Sequence, residues 1–318
     1  MLALSKFSCE KRISIFEFKI AMAILVDRQT RILIQGITGK SGVQVAGELL
    51  DYGMRVVAGV TPGKGGQDVD SVPVFNSVKE ALEAVGEVDV AMVYVPPLLA
   101  RDAAIEAIEN KVPLVHIFVE KIPVFDVAQI LASAKQNSIR VLGPASVGVI
   151  SPGEGKIGSI GGPNPGAVFS KGQIGVISKS GGMCSELAML ITNNGLGQST
   201  VVGIGGDLLT GTSFADLLEM FEEDSQTRAV VAFGEVGGAA EVEAAKLIAD
   251  GKFTKPFIVY LAGKFAEKLP KDTSLGHAGA IVGLEATMDE KIKILKSAGA
   301  ILAENFEDIA EIIKRTIK

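Results

Sequence analysis

The sequence predicts an α/β protein made of two parallel-sheet units, and three observations carry that prediction. Short apolar runs rich in Val, Ile and Ala recur as candidate strands, each followed by a stretch with helical periodicity. The 37 Gly against 0 Trp and 3 Tyr fit many tight strand-to-helix turns better than an aromatic-rich β-sandwich. The alternation is interrupted once by a Gly-, Pro- and Ser-rich stretch and then restarts, which in 318 residues gives two domains. Continuously apolar strands, rather than alternating ones, indicate sheets covered by helices on both faces.

Taken in order, residues 31–34 read as a strand, 36–42 as a glycine turn and 43–52 as a helix. A strand at 54–60 ends in the loop Thr61-Pro62-Gly63-Lys64-Gly65-Gly66. A helix at 77–85, a strand at 88–95, a helix at 100–110, a strand at 112–119, a helix at 126–137 and a strand at 140–142 complete a Rossmann-like unit over 22–150. Residues 151–167 read as the connection between the units. A second, flavodoxin-like unit over 168–318 follows. Its strands are expected at 174–177, 200–204, 229–233, 257–262 and 300–303, and its helices at 183–193, 214–223, 239–250, 288–297 and 306–317.

Composition narrows the function. The formal charge is −6, with no Lys/Arg cluster, so a nucleic-acid face is not expected. Cys9 and Cys184 make neither a disulfide framework nor a metal motif, which suits a reducing cytoplasm, and no metal ligands are assigned. The apolar run 13–26 is broken by Glu17 and Lys19 and is too short to span a bilayer. Residues 1–21 read as an appended N-terminal tail or an over-extended start, with Met22 as a second start candidate.

The first glycine turn suits a phosphate-bearing ligand. Gly36, Gly39 and Gly42 lie between a strand and a helix, where glycines admit close backbone approach and the helix N-terminus offers free N–H groups. Gly39-Lys40-Ser41 is not a P-loop ending, because Ile34 stands where its first glycine belongs. The dinucleotide fingerprint also fails. Gly36 and Gly39 are spaced by one residue too many, and the second strand ends Ala58-Gly59-Val60-Thr61 with no acid for a ribose. Lys64 in the following loop favours a ligand with an added phosphate, which CoA and NADP both carry.

The second feature is Gly276-His277-Ala278-Gly279-Ala280. His277 is one of 2 histidines and stands among small residues, where an imidazole can be approached closely and act as a nucleophile near neutral pH. On its own the stretch also reads as a glycine-shaped loop. His116, inside an apolar strand, reads as structural, and Cys184 as a small packed residue.

Four motifs occur in a fixed order: Gln35-Gly36-Ile37-Thr38-Gly39, Val60 to Gly66, Gly234-Glu235-Val236-Gly237-Gly238 and Gly276 to Ala280. Together they resemble the alpha subunit of succinyl-CoA synthetase from Ile24 to the C-terminus. The resemblance implies a CoA-binding domain followed by a ligase domain, and a phosphohistidine at His277 oriented by Glu235. Thr38, Gly39, Lys40, Ser41, Lys64, Phe118, Val119 and Glu120 would contact CoA. Ser180, Gly181 and Gly182 would stabilise phosphate at a helix N-terminus. It also implies a partner beta subunit with an ATP-grasp domain, holding Mg2+ and ATP or GTP, in an αβ or α2β2 assembly.

Two local departures bear on the small carboxylic acid. Gly143-Pro144-Ala145-Ser146-Val147-Gly148 and Gly182-Met183-Cys184-Ser185-Glu186 are more similar to ATP-citrate lyase and citryl-CoA synthetase. Ser185 is then a substrate-binding candidate that would leave room for a bulkier, hydroxylated acid. Succinate is the expected substrate and citrate the alternative. A CoA-binding regulatory protein without catalysis is the reading from another class.

Overall fold

The computed structural model describes residues 24–270, 273–281 and 286–317; the expected tail and Met22 lie outside them. The first unit contains strands β1 (Arg31–Gln35), β2 (Arg55–Val60), β3 (Asp68–Val69), β4 (Val72–Phe75), β5 (Val90–Val93), β6 (Leu114–Ile117) and β7 (Arg140–Leu142). Its helices are α1 (Lys40–Asp51), α2 (Val78–Val85), α3 (Ala100–Glu109) and α4 (Val124–Asn137). The sheet order is β3-β4-β2-β1-β5-β6-β7. Without the short antiparallel edge strand β3, this is the order of a Rossmann sheet. Fully buried strands such as Val90–Val93 and Leu114–Ile117 explain the unbroken apolar runs.

The second unit contains β8 (Gly148–Ser151), β9 (Gly155–Gly158), β10 (Lys171–Ser178), β11 (Gln198–Gly203), β12 (Ala229–Glu235), β13 (Phe257–Ala262) and β14 (Ile301–Ala303). Its helices are α5 (Gly181–Asn193), α6 (Phe214–Glu223), α7 (Ala240–Ala249), α8 (Met288–Ala298) and α9 (Asp308–Thr316). The order β14-β13-β12-β10-β11 is that of a flavodoxin-like sheet. The hairpin β8–β9 continues it beyond β11 through antiparallel pairing. Among the described residues no helix is long and apolar enough to cross a membrane.

The hairpin takes up the first half of the stretch that composition reads as a connection. Its strands are only four residues each and are bounded by glycines, so no period of two develops. Those glycines are required. A Cβ at Gly148 would run into the Ile157 carbonyl, and one at Gly155 would lie 2.8 Å from the Asp27 backbone. The hairpin also faces the first unit, where α1 packs on β9 and buried Lys156 reaches the carbonyl of Gly162 at 2.8 Å and Glu48 Oε2 at 3.9 Å. One apolar cluster runs from Ile34 and Leu49 through Val149 and Ile157 to Val202 and Phe214. The two sheets therefore share a core.

Candidate active site

In the second sheet β10 lies between β11 and β12, so the chain leaves their carboxyl ends in opposite directions and opens a crevice there. Four segments surround it. They are Ser178–Gly182 after β10, Gly205-Gly206-Asp207 after β11, Glu235–Gly238 at the end of β12, and the His277 loop between β13 and α8.

Glu235 and His277, 42 residues apart, meet at the crevice. Glu235 Oε2 lies 2.7 Å from His277 Nδ1. A carboxylate can only accept, so in the neutral ring Nδ1 carries the proton and Nε2 keeps its lone pair. The Glu235 side chain is 10% exposed and that of His277 is 35% exposed, which anchors one ring nitrogen in the protein and leaves the ring accessible. The hydrogen bond to Glu235 raises the imidazole pKa above its usual 6.5. Burial opposes the rise, the Glu235 charge adds to it, and the charges of Lys179 and Glu120 pull down and up respectively.

The ring has a glycine floor. A Cβ at Gly206 would lie 2.6 Å from His277 Cγ, so only glycine lets the imidazole lie against that turn. Gly279 N–H donates to the Gly206 carbonyl at 3.1 Å and ties the histidine loop to it. Gly237, at φ +80°, packs under the same loop, where a Cβ would meet the carbonyls of Gly279 and Ile281 at 2.8 Å.

Lys179 brings a positive charge into the site. Its Nζ lies 3.9 Å from Glu235 Oε1, with the side chain 12% exposed. The next residue, Ser180, caps α5 and accepts from Met183 N–H, while Ser178 Oγ accepts from Ser180 N–H at 3.0 Å. This fixes the direction in which the first N–H groups of α5 point. Gly182 has open space where a Cβ would stand, and Gly181 presses on Val147. Ser185 lies one turn along α5 and is half-buried. The segment Gly143–Gly148 thus touches α5 at Val147, and Gly205 fits beneath the Pro144 carbonyl, so the two divergent sequences adjoin one another beside the crevice.

Thr38–Ser41 and Lys64 form a separate cluster at the carboxyl edge of the first sheet. Gly36 has φ +83°, and a Cβ at Gly42 would strike the Gly36 carbonyl. Gly39 caps α1 without a side-chain hydrogen bond, leaving the first N–H groups open to an anion. Thr38 Oγ1 donates to Thr61 Oγ1 at 3.1 Å, joining the first turn to the Lys64 loop. Asn76 Oδ1 holds that loop by accepting from Gly63 N–H at 2.9 Å and Gly65 N–H at 3.0 Å. A glycine-rich turn, an uncapped helix and an exposed lysine suit a ligand with several phosphates. Phe118 stacks on Tyr94 at 4.7 Å and Val119 is buried. Glu120 is exposed, and its charge acts on both His277 and Asp207, so the segment 118–120 links the two clusters.

His116 and Cys184 are packed residues. Burial lowers the His116 pKa to about 4 while its Nε2 meets the Ser146 carbonyl at 3.0 Å. Burial likewise pushes the Cys184 thiol up to about 12, far from a reactive thiolate. Sequence reasoning assigned no role to Gly206, Lys179, Lys291 or Glu241. The glycine pair after β11 was a usable signal for the first of these, whereas Lys291 resembles the exposed lysines of its own helix and Glu241 reads as an ordinary acid in the first turn of α7.

Comparison with known proteins gives the family. Residues 27–121 match the CoA binding domain and residues 177–305 match the CoA-ligase domain. The chain is 43% identical over 298 residues to the succinate–CoA ligase (ADP-forming) subunit alpha 1 of Archaeoglobus fulgidus, covering 93% of this chain and 99% of that one. It is 43% identical over 300 residues to the corresponding alpha subunit of Aquifex aeolicus, covering 93% of this chain and 95% of that one. In structure it is similar to the ATP citrate lyase of Methanothrix soehngenii in complex with citrate and coenzyme A. The TM-score is 0.84 at 25% identity, with 92% of this chain and 50% of that longer one covered. With relatives of this identity over nearly its whole length, the chain belongs to the alpha subunits of the succinate–CoA ligase family.

Proposed function

We propose that this acid–CoA ligase subunit interconverts succinyl-CoA, phosphate and a nucleoside diphosphate with succinate, CoA and the triphosphate, by way of phospho-His277. Phosphate displaces CoA from the thioester to give succinyl phosphate. The Nε2 lone pair then attacks phosphorus, the P–O bond to succinate breaks, and succinate leaves with that electron pair. A nucleotide oxygen finally takes the phosphoryl group from Nε2 and the ring is restored. Glu235 holds the proton on Nδ1 throughout and stabilises the ring while it carries phosphate. Lys179 and the N–H groups at Ser180–Gly182 offset the charge of the dianion. CoA lies on the turn Thr38–Ser41 with Lys64 at its phosphates and Phe118–Glu120 beside it. The nucleotide and Mg2+ belong to an ATP-grasp beta subunit, and the assembly works in the cytoplasm.

The observation that carries this reading is the 2.7 Å contact between Glu235 Oε2 and His277 Nδ1, which in the neutral ring leaves the lone pair on Nε2, on an accessible loop. The test is to incubate the chain and its beta partner with labelled ATP. Acid-labile, alkali-stable label is expected on this chain and absent from His277→Asn; label that survives the substitution rules the reading out.

Citrate is the second reading. It is favoured by the neighbouring segments Gly143–Gly148 and Gly182–Glu186, which meet around Gly203 through Val147 and Cys184, with Ser185 half-buried on the same helix. Assays with succinate, citrate and malate side by side decide between them: a higher kcat/KM for citrate overturns succinate.

A further inference from the structure

We propose that Lys291 and Glu241 form a buried device that positions Glu235 beneath His277, an inference that rests on the phosphohistidine reading. Lys291 comes from α8 and Glu241 from α7, and both side chains are 0% exposed. Lys291 Nζ donates to Glu241 Oε2 at 2.6 Å, to the Glu235 carbonyl at 2.9 Å and to the Gly237 carbonyl at 2.6 Å. All three ammonium protons are thereby used. Glu241 Oε1 accepts from Glu235 N–H at 3.1 Å. The backbone N–H and C=O of Glu235 are thus held by the two ends of one ion pair.

The contacts converge on the turn that matters. Gly237, whose carbonyl Lys291 holds, is the residue under Gly279 and Ile281 of the histidine loop. Gly234 has room for Glu241 only because it lacks a Cβ, which would lie 2.6 Å from Glu241 Oε1. Apolar residues of the same volume would fill this space at less desolvation cost, so the pair is not explained by stability alone. It fixes two successive peptide groups at the end of β12, and with them the origin of the Glu235 side chain. Neither residue touches the imidazole, so they are positioning residues. Of the other charges acting on His277, Glu120 comes from a separate element and has no part in the device, whereas Lys179 also acts on Lys291 and is kept unchanged in the test.

The full chain has 2 histidines, which makes the His277 ring titration readable by NMR with His277→Asn as the assignment control. Lys291→Met is expected to lower the His277 midpoint to the value seen in Glu235→Gln. His277 phosphorylation should fall at least ~10-fold, with CoA affinity within about twofold of wild type. Since this variant strands the Glu241 charge, the double variant Lys291→Met/Glu241→Gln, which buries no lone charge, is measured alongside and is expected to show the same drop. A wild-type midpoint and phosphorylation rate in either variant, with CoA binding intact as evidence of folding, overturns the proposal. A wild-type chain that takes no label overturns the phosphohistidine reading, whereas an unmoved midpoint overturns the positioning device alone.

Discussion

Gly206 lies flat against the imidazole of His277, with no room between them for a methyl group: a Cβ at Gly206 would come within 2.6 Å of the ring. Gly206→Ala must therefore move the histidine. A displacement of ~1 Å at a reacting group costs on the order of 100-fold. We expect label incorporation at His277 to drop by roughly that factor while CoA binding, at the other sheet, holds. Full phosphorylation of Gly206→Ala in a rapid-quench assay would show that the ring does not need this floor.

The pH dependence follows from the Glu235 contact. The hydrogen bond raises the His277 pKa above the usual 6.5. Below the raised value Nε2 is protonated and has no lone pair, so phosphorylation fails as pH falls through it. Glu235→Gln removes the cause, and the acid limb should move to lower pH while the plateau rate falls. The same raised pKa contributes stability that is complete below the unfolded value and is lost as pH rises through the folded one. Thermal melts of wild type and Glu235→Gln should therefore differ more at pH 5.5 than at pH 9, and an unchanged gap would contradict the assignment.

Lys179 acts on the same ring in the opposite direction, since its charge disfavours the imidazolium. Lys179→Met should shift the acid limb to higher pH, away from the Glu235→Gln shift. Phosphohistidine should also lose its lifetime by about tenfold, as expected when one cation leaves a partly buried phosphate site. A limb that does not move, read from stopped-time labelling across pH, would place Lys179 outside the site.

The proposed CoA cluster can be tested without touching the histidine. Lys64→Ala should weaken CoA about tenfold, the usual scale of a charge-assisted phosphate contact. Phosphorylation of His277 from labelled ATP, which needs no CoA, should stay at the wild-type rate. Equal CoA affinity by calorimetry would remove Lys64 from the binding surface.

Much of the fold was legible because long strands and helices carry a period. The expected helix 214–223 and the expected strands 140–142 and 257–262 match α6, β7 and β13 residue for residue. The edge pair β3–β4 and the hairpin β8–β9 were not legible, since their short strands lie among Gly, Pro and Ser and no helical stretch follows them to mark a strand–helix alternation. Of the site, His277 and Glu235 could be read from ordered glycine motifs. Lys291 could not, because in Met288–Ala298 it resembles its solvated neighbours Lys293 and Lys296, and only the folded chain shows it buried. Gly206 was visible as a glycine, but the ring above it was not.

The hairpin between the two sheets has a mechanical consequence. Its outer strand is pinned to α1 of the first unit and its inner strand belongs to the second sheet, so the segment works as a weld and leaves no hinge. If that weld holds, one lobe does not open and close over the other to bring thioester and histidine together, and under the proposed reaction the reach has to come from the ligand's own flexible arm. Protease sensitivity reports this directly. Trypsin should leave the native chain intact at Lys156, whose side chain is fully buried, while an early cut there would reveal a joint that bends.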